Sequence, residues 1–414
     1  MNVESDEASL LGELRAWLAA NWDPDLSLVE WRSLLVDARW ACPSWPVEWF
    51  GRGLAPRFDS VVTDGLAAIG AVGPASGLGM ALAAPTLLAH GSDALKEKYL
   101  RPTLTGDITW CQLFSEPGSG SDLASLNTRA DRDGDELVVS GQKVWNTGAH
   151  RADYGILLVR SRRDVPKHQG ITYVVIDMHQ PGIEVRPLRQ MNGYASFNEV
   201  FLTEARVSLS DVVGQLDRGW TVALTTLANE RRLAAHGRVG GHATPEGRVQ
   251  REALEEAAVR DEPHRWYPQR AGRADLLIEH ARVAGVASDP LVRQEITRVL
   301  SLASTARWTA ERAKQERMSG RQPGPEGSLA KLSSSAIARA SAATHAHIAG
   351  AGAMLSGPES PFGGTIAEIL VSVPGGSIAG GTDEIQHNII GERVLGLPKE
   401  PDVSRDVPFE DLRR

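Results

Sequence analysis

Apolar residues recur at helical spacing through the first hundred residues of the chain. They lie three or four positions apart, the period of an amphipathic α-helix, in two runs: Leu10, Leu11, Leu14 and Trp17, then Val62, Leu66 and Ile69. Between these runs, two prolines and two glycines within residues 42–53 predict a loop. We therefore predict an N-terminal helical domain over residues 1–108.

The spacing of apolar residues changes from about residue 109. Short segments rich in β-branched and aromatic residues then alternate with turn residues, and they cover residues 136–140, 154–159, 171–176, 183–186 and 198–202. Asp133 and Gly134 precede the first segment and predict a hairpin turn. Short strands joined by short turns are typical of a compact antiparallel β domain or small barrel. We assign this β domain to residues 109–215.

Helical spacing returns in the last part of the chain, residues 216–414. Two long amphipathic helices are predicted over residues 291–318 and 328–348. Residues 320–327 break the pattern between them, and residues 241–274 form a second break, longer than the usual helix connection of about 2–8 residues. The succession of helices, strands and helices predicts an α+β protein that ends in a helical bundle. A Rossmann-type dehydrogenase is disfavoured, because Gly-x-Gly-x-x-Gly follows none of the predicted strands.

Composition limits what the protein can bind. The 414 residues are 42% hydrophobic and 23% charged, which is ordinary for a globular protein. The net charge of -8 argues against a nucleic-acid surface and against adsorption to a membrane of anionic lipid. Two cysteines and eleven scattered histidines give neither a disulfide framework nor a metal-binding spacing. The acidic N-terminus does not resemble a signal peptide, and no apolar run reaches about 18 residues, so we expect a cytoplasmic enzyme.

Candidate chemistry lies in three segments that are dense in small and polar residues. They are CQLFSEPGSGSD at residues 111–122, GQKVWNT at residues 141–147 and IAGGTDEIQ at residues 378–386. Glycine lets backbone N–H groups approach a ligand closely. Glycine and serine content alone is more typical of a surface loop, and Trp145 alone is as often a core residue. The order of the segments, with the first between helices and strands and the second at a strand end, favours a binding site.

The three segments together resemble the acyl-CoA dehydrogenase family, whose members hold FAD and oxidise acyl-CoA thioesters. Further matches extend the resemblance over most of the chain, at residues 45–46, 197–201, 219–220 and 395–398. The resemblance implies that these residues contact the cofactor FAD: Phe114, Ser115, Ser121, Trp145, Thr147, Thr382 and Glu384. Among them, Ser115 and Thr147 would hydrogen-bond the flavin, and Trp145 would pack against its ring system. The substrate contacts implied are Ser121 to the pantetheine, Arg231 to the CoA moiety, and Gly381.

One position departs from the family pattern, and this changes which residue is expected to act as the catalytic base. Many members carry the catalytic glutamate where this chain has Gly380, and glycine has no side chain that can act as a base. Removal of the α-proton of a thioester needs a carboxylate within about 2.6–3.2 Å. Glu230 matches the alternative glutamate of isovaleryl-CoA-type dehydrogenases, so the resemblance implies Glu230 as the base. From the Glu-Arg pair alone, a solvated surface glutamate would be the more common interpretation, and Glu384 is a second-choice base.

Gly380 keeps a role through its backbone. The resemblance implies that its N–H and a flavin ribityl hydroxyl bind the thioester carbonyl, which stabilises the charge that develops as the α-proton leaves. The missing side chain also makes room for a branched or bulky acyl group. The sequence leaves open which acyl group binds.

The same resemblance implies partners and leaves alternatives open. It implies an acyl-CoA substrate, an electron-transfer partner such as an electron-transfer flavoprotein, and a homo-dimer, a homo-tetramer or a hetero-oligomer with a related chain. In many members a segment Arg-x-Thr-Phe-Gly reaches the FAD of a neighbouring subunit, but residues 280–290 do not preserve it and offer only Arg282. Two alternatives therefore stay open: a non-catalytic or half-competent subunit of a heteromer, and a flavin oxidase or monooxygenase on the same scaffold.

Overall fold

The computed structural model describes residues 3–235, 247–318, 326–401 and 405–412. The N-terminal helices are α1 (Val3–Asn21), α2 (Leu28–Asp37), α3 (Arg57–Ala67), α4 (Ala84–His90) and α5 (Asp93–Thr105). The strands are β1 (Trp110–Leu113), β2 (Arg129–Asp133), β3 (Glu136–Thr147), β4 (Tyr154–Arg160), β5 (Ile171–Asp177), β6 (Ile183–Leu188) and β7 (Phe197–Ser208). The C-terminal helices are α6 (Gly219–Ala235), α7 (Arg248–Asp261), α8 (Tyr267–Arg270), α9 (Leu277–Val283), α10 (Pro290–Met318), α11 (Glu326–Ala349), α12 (Thr365–Ser372), α13 (Pro374–Ile378) and α14 (Asp383–Arg393).

The N-terminal helices bury most of the apolar positions that the sequence pattern selects. Leu14 and Leu66 lie in one core cluster with Trp31, which donates its indole N–H to the carbonyl of Val72. Ile69 contradicts the predicted helical face, because its side chain is 46% exposed. The reason is local: α3 ends at Ala67, and the chain reverses through Gly70, whose φ is +73°.

The strands form one curled sheet with the strand order β1-β4-β2-β3-β7-β6, and β5 pairs with β4. The predicted hairpin at Asp133 and Gly134 is confirmed, because β2 and β3 pair antiparallel across this turn. Most neighbours are antiparallel, but β1 and β2 each pair with β4 in parallel. Alternate residues of β4 enter two different cores: Ile156 and Leu158 pack with α4, whereas Leu157 and Val159 pack inside the curled sheet. Burial on both faces explains why this strand reads as a continuous apolar run.

In the C-terminal part, the two predicted long helices are confirmed as α10 and α11. The break predicted at residues 320–327 lies mostly outside the described residues, and α11 begins at Glu326. α11 packs against α10 and also against α6, α9, α12, α13 and α14. It thereby links α6, which carries Glu230, to the turn that contains Gly380.

The second predicted break, residues 241–274, is wrong for its central part. Residues 241–246 lie outside the described residues, but α7 is a helix of 14 residues. Its acidic residues contact α2: Glu256 pairs with the buried Arg32 at 2.6 Å, and Glu252 accepts the backbone N–H of Leu28 at 2.7 Å. A helix held by ion pairs carries a weak apolar pattern, so periodicity did not detect it.

The stretch Pro361–Arg393 is long and apolar enough, by length and composition, to cross a membrane. It is not one continuous helix, since α13 ends at Ile378 and α14 begins at Asp383. Gly380 and Gly381 between them have φ of +69° and +85°. These left-handed residues reverse the backbone and produce the turn considered below.

Candidate functional site

The first two motif segments lie side by side in the folded chain. The backbone N–H of Val144 donates to the carbonyl of Ser115 at 2.9 Å. The side-chain amide of Asn146 donates to the carbonyl of Gln112 at 2.7 Å. Strand β1 and the end of β3 are thus joined, and the half-buried hydroxyls of Ser115 and Thr147 belong to one region.

The loop that follows β1, residues 115–127, is closed by its own polar groups. Glu116 and Ser119 exchange backbone hydrogen bonds, and the Ser119 hydroxyl donates to the carbonyl of Asp122 at 2.7 Å. Lys167 pairs with the Asp122 carboxylate at 2.8 Å. A Cβ built on Gly118 or Gly120 would meet no atom within 4 Å. The loop is therefore fixed at its base while its glycines face open space, which leaves room for a ligand to approach the backbone.

A buried ion pair stands at the base of this loop. Lys143 is fully buried and donates to Glu116 at 2.8 Å and to the carbonyl of Phe114 at 3.1 Å. Glu116 also accepts the backbone N–H groups of Asn127 and Thr128, at the far end of the loop. Burial acts to raise the pKa of Glu116, but the charge of Lys143 and the hydrogen bonds from Lys143 and Thr128 hold this pKa below its ordinary value. The sequence analysis did not predict this pair. The signal that could have indicated it is that each of the first two motif segments contains one charged residue of the pair, Glu116 in the first and Lys143 in the second.

Trp145 is held in a strained and open position. Its φ is +65°, rare for a bulky residue, and 56% of its surface is exposed. The pairing of β3 with β7 shifts register between Lys143 and Asn146, and such a bulge redirects side chains. The indole meets Phe197 edge to face, with ring centroids 5.7 Å apart. A flat aromatic surface is thereby presented beside a loop that faces open space.

Two observations indicate that these residues together suit a flavin. The side-chain oxygen of Asn146 is buried and has no hydrogen-bond partner, so an acceptor next to Trp145 and Thr147 in the sequence is unused by the protein itself. The exposed indole offers the packing surface that a planar ring system needs. The side chain of Phe114 is only 4% exposed and packs against Tyr173, so its backbone is the part left to contact a cofactor. Ser121 is exposed near the open end of the loop.

Glu230 lies next to strand β1. The side-chain amide of Gln112 donates to Glu230 Oε2 at 3.3 Å, across 118 positions of sequence. Helix α6, which carries Glu230, is anchored by buried hydroxyls: Thr226 contacts Thr86 at 2.9 Å and Tyr173 at 3.1 Å. Glu230 therefore meets the strand that leads directly into the loop of the first motif. The side chain of Arg231, the predicted CoA contact, lies outside the described residues.

The turn that contains Gly380 and Gly381 has a left-handed backbone that favours glycine. The side-chain amide of Gln386 donates to the carbonyl of Gly380 at 3.0 Å and closes the turn. A Cβ on Gly381 would lie 2.6 Å from that amide nitrogen, whereas a Cβ on Gly380 would meet no atom within 4 Å. The backbone therefore requires glycine conformations here, and there is open space where a side chain at position 380 would project.

The two acidic residues that follow this turn, Asp383 and Glu384, form hydrogen bonds at the start of α14. Thr382 caps the helix by accepting the N–H of Ile385 at 3.2 Å. Glu384 hydrogen-bonds its own backbone N–H and Thr382, and these bonds lower the pKa of its carboxyl. Asp383 is buried; burial acts to raise its pKa, but hydrogen bonds from Lys331, Ser335 and Arg339 lower it to about 2. Both carboxylates are weaker bases than an ordinary aspartate or glutamate, which argues against Glu384 as the second-choice base.

Comparisons with known proteins show which family the chain resembles over its length. Family models match three parts of the chain: "Acyl-CoA dehydrogenase, N-terminal domain" at residues 13–107, "Acyl-CoA dehydrogenase, middle domain" at residues 111–205, and "Acyl-CoA dehydrogenase, C-terminal domain" at residues 269–395. The region between the last two matches contains Glu230 and α7.

Individual relatives and structures extend these matches. The acyl-CoA dehydrogenase IpdE1 of Mycobacterium tuberculosis is 31% identical over 420 residues, covering 95% of this chain and 99% of that protein. The acyl-CoA dehydrogenase FadE34 of the same organism is 35% identical over 365 residues, but the chain spans only 46% of its length. The solved structure of the "Tcur3481-Tcur3483 steroid ACAD" is 26% identical, with a TM-score of 0.65 and coverage of 96% of this chain and 98% of that one.

Proposed function

Because the chain belongs to the acyl-CoA dehydrogenase family of FAD-dependent oxidoreductases, we propose that it catalyses α,β-dehydrogenation of an acyl-CoA thioester with Glu230 as the base. The observation that carries this assignment is the hydrogen bond between Gln112 and Glu230. It joins the carboxylate that the family pattern offers in place of Gly380 to the strand that leads into the Ser115 loop. Glu384, the other candidate, is engaged at the start of α14.

The remaining residues take the roles that the family resemblance implies. Ser115 and Thr147 would hydrogen-bond the FAD, Trp145 would pack against its ring, and Thr382 would contact it from the start of α14. The chemistry that bound FAD would supply at these residues is acceptance of a hydride from the β-carbon. The exposed Ser121 and the neighbouring glycine N–H groups contact the pantetheine arm, and Arg231 contacts the CoA moiety.

The chain's own groups move one proton and stabilise one charge. The carboxylate of Glu230 removes the α-proton of the thioester. The N–H of Gly380 donates to the thioester oxygen, where negative charge develops, and a backbone donor needs no side chain for this. Gly381 keeps the turn in the conformation that this donor requires, because a side chain there would collide with Gln386.

Replacement of Glu230 tests this mechanism. Glu230→Gln keeps the shape of the side chain but removes the base, so anaerobic reduction of the bound FAD by acyl-CoA should slow by about 10²–10⁴-fold. FAD content should stay at the level of the unchanged protein. Glu255→Gln, on the exposed face of α7, is the matched control and should reduce at the normal rate.

The outcomes assign the base. Near-normal reduction by Glu230→Gln would reject Glu230, and a selective loss in Glu384→Gln would transfer the role to that residue. Rapid oxygen consumption during turnover, in place of electron transfer to an artificial acceptor or an electron-transfer flavoprotein, would favour the oxidase alternative.

We further propose a bulky, ring-bearing acyl group as substrate. Open space beside position 380 supports it, since a glutamate would otherwise project there. The similar solved protein is called a steroid ACAD, and that name supports the same substrate class for this chain. A panel that compares straight-chain with polycyclic acyl-CoAs, scored by the ratio of kcat/KM, would measure the preference.

A heteromeric form is the second candidate. The similar steroid ACAD carries a double name, Tcur3481-Tcur3483, and this chain lacks the intact Arg-x-Thr-Phe-Gly segment, with Arg282 exposed at the end of α9. In that form a related partner completes the FAD site. A chain that is colourless when purified alone, and yellow when co-expressed with a related chain, would support this form.

A further inference from the structure

We infer that Gln112 is a positioning residue that holds the catalytic carboxylate of Glu230 in place for proton removal. This inference rests on the proposed role of Glu230 as the base. Gln112 contacts neither substrate nor FAD in this scheme; it acts through the carboxylate to which it donates a hydrogen bond.

The place of Gln112 in its strand is unusual for a polar residue. Its neighbours Cys111 and Leu113 are fully buried, and Gln112 is half-buried between them. Strand β1 is fixed by parallel pairing with β4, in which Gln112 stands opposite Ile156. An amide in such surroundings costs free energy unless it is hydrogen-bonded. Donation to Glu230 Oε2 supplies that bond.

The backbone of Gln112 is held from the other side. Its carbonyl accepts the side-chain amide of Asn146 at 2.7 Å, and the carbonyl of Asn146 in turn accepts the side chain of Asn198 at 2.8 Å. Asn146 lies between Trp145 and Thr147, the residues proposed to contact the flavin. Gln112 is therefore the link between the helix that carries the base and the strand that carries the ring contacts.

A glutamine suits this role better than a charged residue. An amide N–H orients a carboxylate and favours its ionised form, but it brings no positive charge that would strongly weaken the base. The distance of 3.3 Å is at the long end of the hydrogen-bond range, and catalytic hydrogen bonds often tighten only when substrate is bound. Fixed geometry matters because a small displacement of a catalytic group costs about 10²-fold in rate.

Gln112→Glu carries the test, because it keeps the shape and replaces the donor with a second carboxylate. Two adjacent carboxylates disfavour each other's ionisation, so the acid limb of the pH profile for FAD reduction should move up by about 1 pH unit or more. Gln112→Leu removes the donor, so kcat for reduction should fall by about 10–100-fold with KM changed by less than about threefold. FAD occupancy and melting temperature report whether each variant folds.

The chain offers a matched control. Gln269 on α8 also donates to a glutamate, Glu368 on α12, at 3.3 Å, and both residues are half-buried like Gln112 and Glu230. Gln269→Glu introduces the same chemical change outside the three motif segments. Its pH profile should superimpose on that of the unchanged protein.

The outcomes separate this inference from the proposed function. If Glu230→Gln abolishes reduction but Gln112→Glu leaves the pH profile unchanged, Glu230 stands as the base and the inference about Gln112 is overturned. If Glu230→Gln retains near-normal reduction, the proposed function fails first and the inference fails with it. Should Gln112→Leu not fold, the isosteric Gln112→Glu still decides, since a folded, FAD-loaded Gln112→Glu with an unshifted profile rejects the inference.

Discussion

At the scale of residues, the site depends on a few side chains in uncommon states. Trp145 has a left-handed backbone and an exposed indole, while the adjacent Lys143 and Asn146 are buried. Such a conformation costs about 1–3 kcal/mol, and the surrounding structure must maintain it. The buried pair of Lys143 and Glu116 and the bulge in β3 do so. One of the strained backbone positions of the described chain is therefore the residue proposed to contact the flavin ring.

Trp145→Ala should weaken FAD binding by about 2- to 12-fold, because loss of an aromatic packing surface costs about 0.5–1.5 kcal/mol. FAD occupancy after gel filtration and the flavin absorbance spectrum measure the effect. Trp145→Phe keeps a flat ring and should retain most of the FAD. An Ala variant with normal occupancy and an unshifted spectrum would return Trp145 to a purely structural role.

At the scale of elements, buried polar contacts hold the helices of the C-terminal part in register. His280 on α9 and His345 on α11 are buried, and their Nδ1 atoms lie 2.9 Å apart. His345 Nε2 also lies 3.1 Å from the carbonyl of Arg273. Burial, and then the neighbouring His345, lowers the pKa of His280 to about 4. Burial also lowers the pKa of His345, partly opposed by the Arg273 carbonyl and Asp275.

These shifts predict a loss of stability in mild acid. The folded chain keeps His280 neutral down to a pH of about 4, whereas the unfolded chain binds a proton near its ordinary pKa of 6.5. The histidine contribution is therefore intact above pH about 6.5 and is lost as the pH falls toward about 4, by up to about 3 kcal/mol. Urea unfolding across this range measures the loss.

A double variant, His280→Asn with His345→Asn, should flatten that part of the pH dependence. His347→Asn, at an exposed position on the same helix as His345, is the matched histidine replacement, and the double variant should change the slope more than it does. If the double variant keeps the full slope, other groups cause the acid sensitivity.

At the scale of the whole molecule, several helices leave apolar surface uncovered. On α10, Leu291, Leu300 and Trp308 are exposed, and Val394, Leu395 and Leu397 are exposed after α14. Exposed large apolar side chains are available for packing against other chains where they form a contiguous surface. An FAD site completed across subunits would use such surfaces.

We expect the protein to form a dimer or tetramer, alone or with a related chain. Light scattering of the purified chain and of the co-expressed pair measures the mass. Trp308→Glu introduces a charge on α10 and should reduce the assembled fraction, while Glu311→Gln, exposed on the same helix, should leave it unchanged. A stable monomer that retains FAD would contradict the expectation.

The sequence predicted the fold well where structure depends on neighbours in the chain. The apolar runs indicated α10, α11 and the strands β4 and β5, and Asp133-Gly134 indicated the hairpin. Local pattern failed where contacts between distant segments decide. α7 buries only Val249 among its own residues and is held by pairs such as Arg32 with Glu256, which are 224 positions apart.

The features of the candidate site also divide into those that local sequence shows and those that depend on distant contacts. By itself, the sequence determined the three motif segments, the missing side chain at Gly380 and Glu230 as the candidate substitute base, because motif resemblance resides in short contiguous stretches. Only the tertiary structure decided that Gln112 meets Glu230, that Lys143 meets Glu116, and that Trp145 is strained and open. The physical reason is that these features depend on how α6 packs on the sheet and how β3 bulges against β7, which no local pattern encodes.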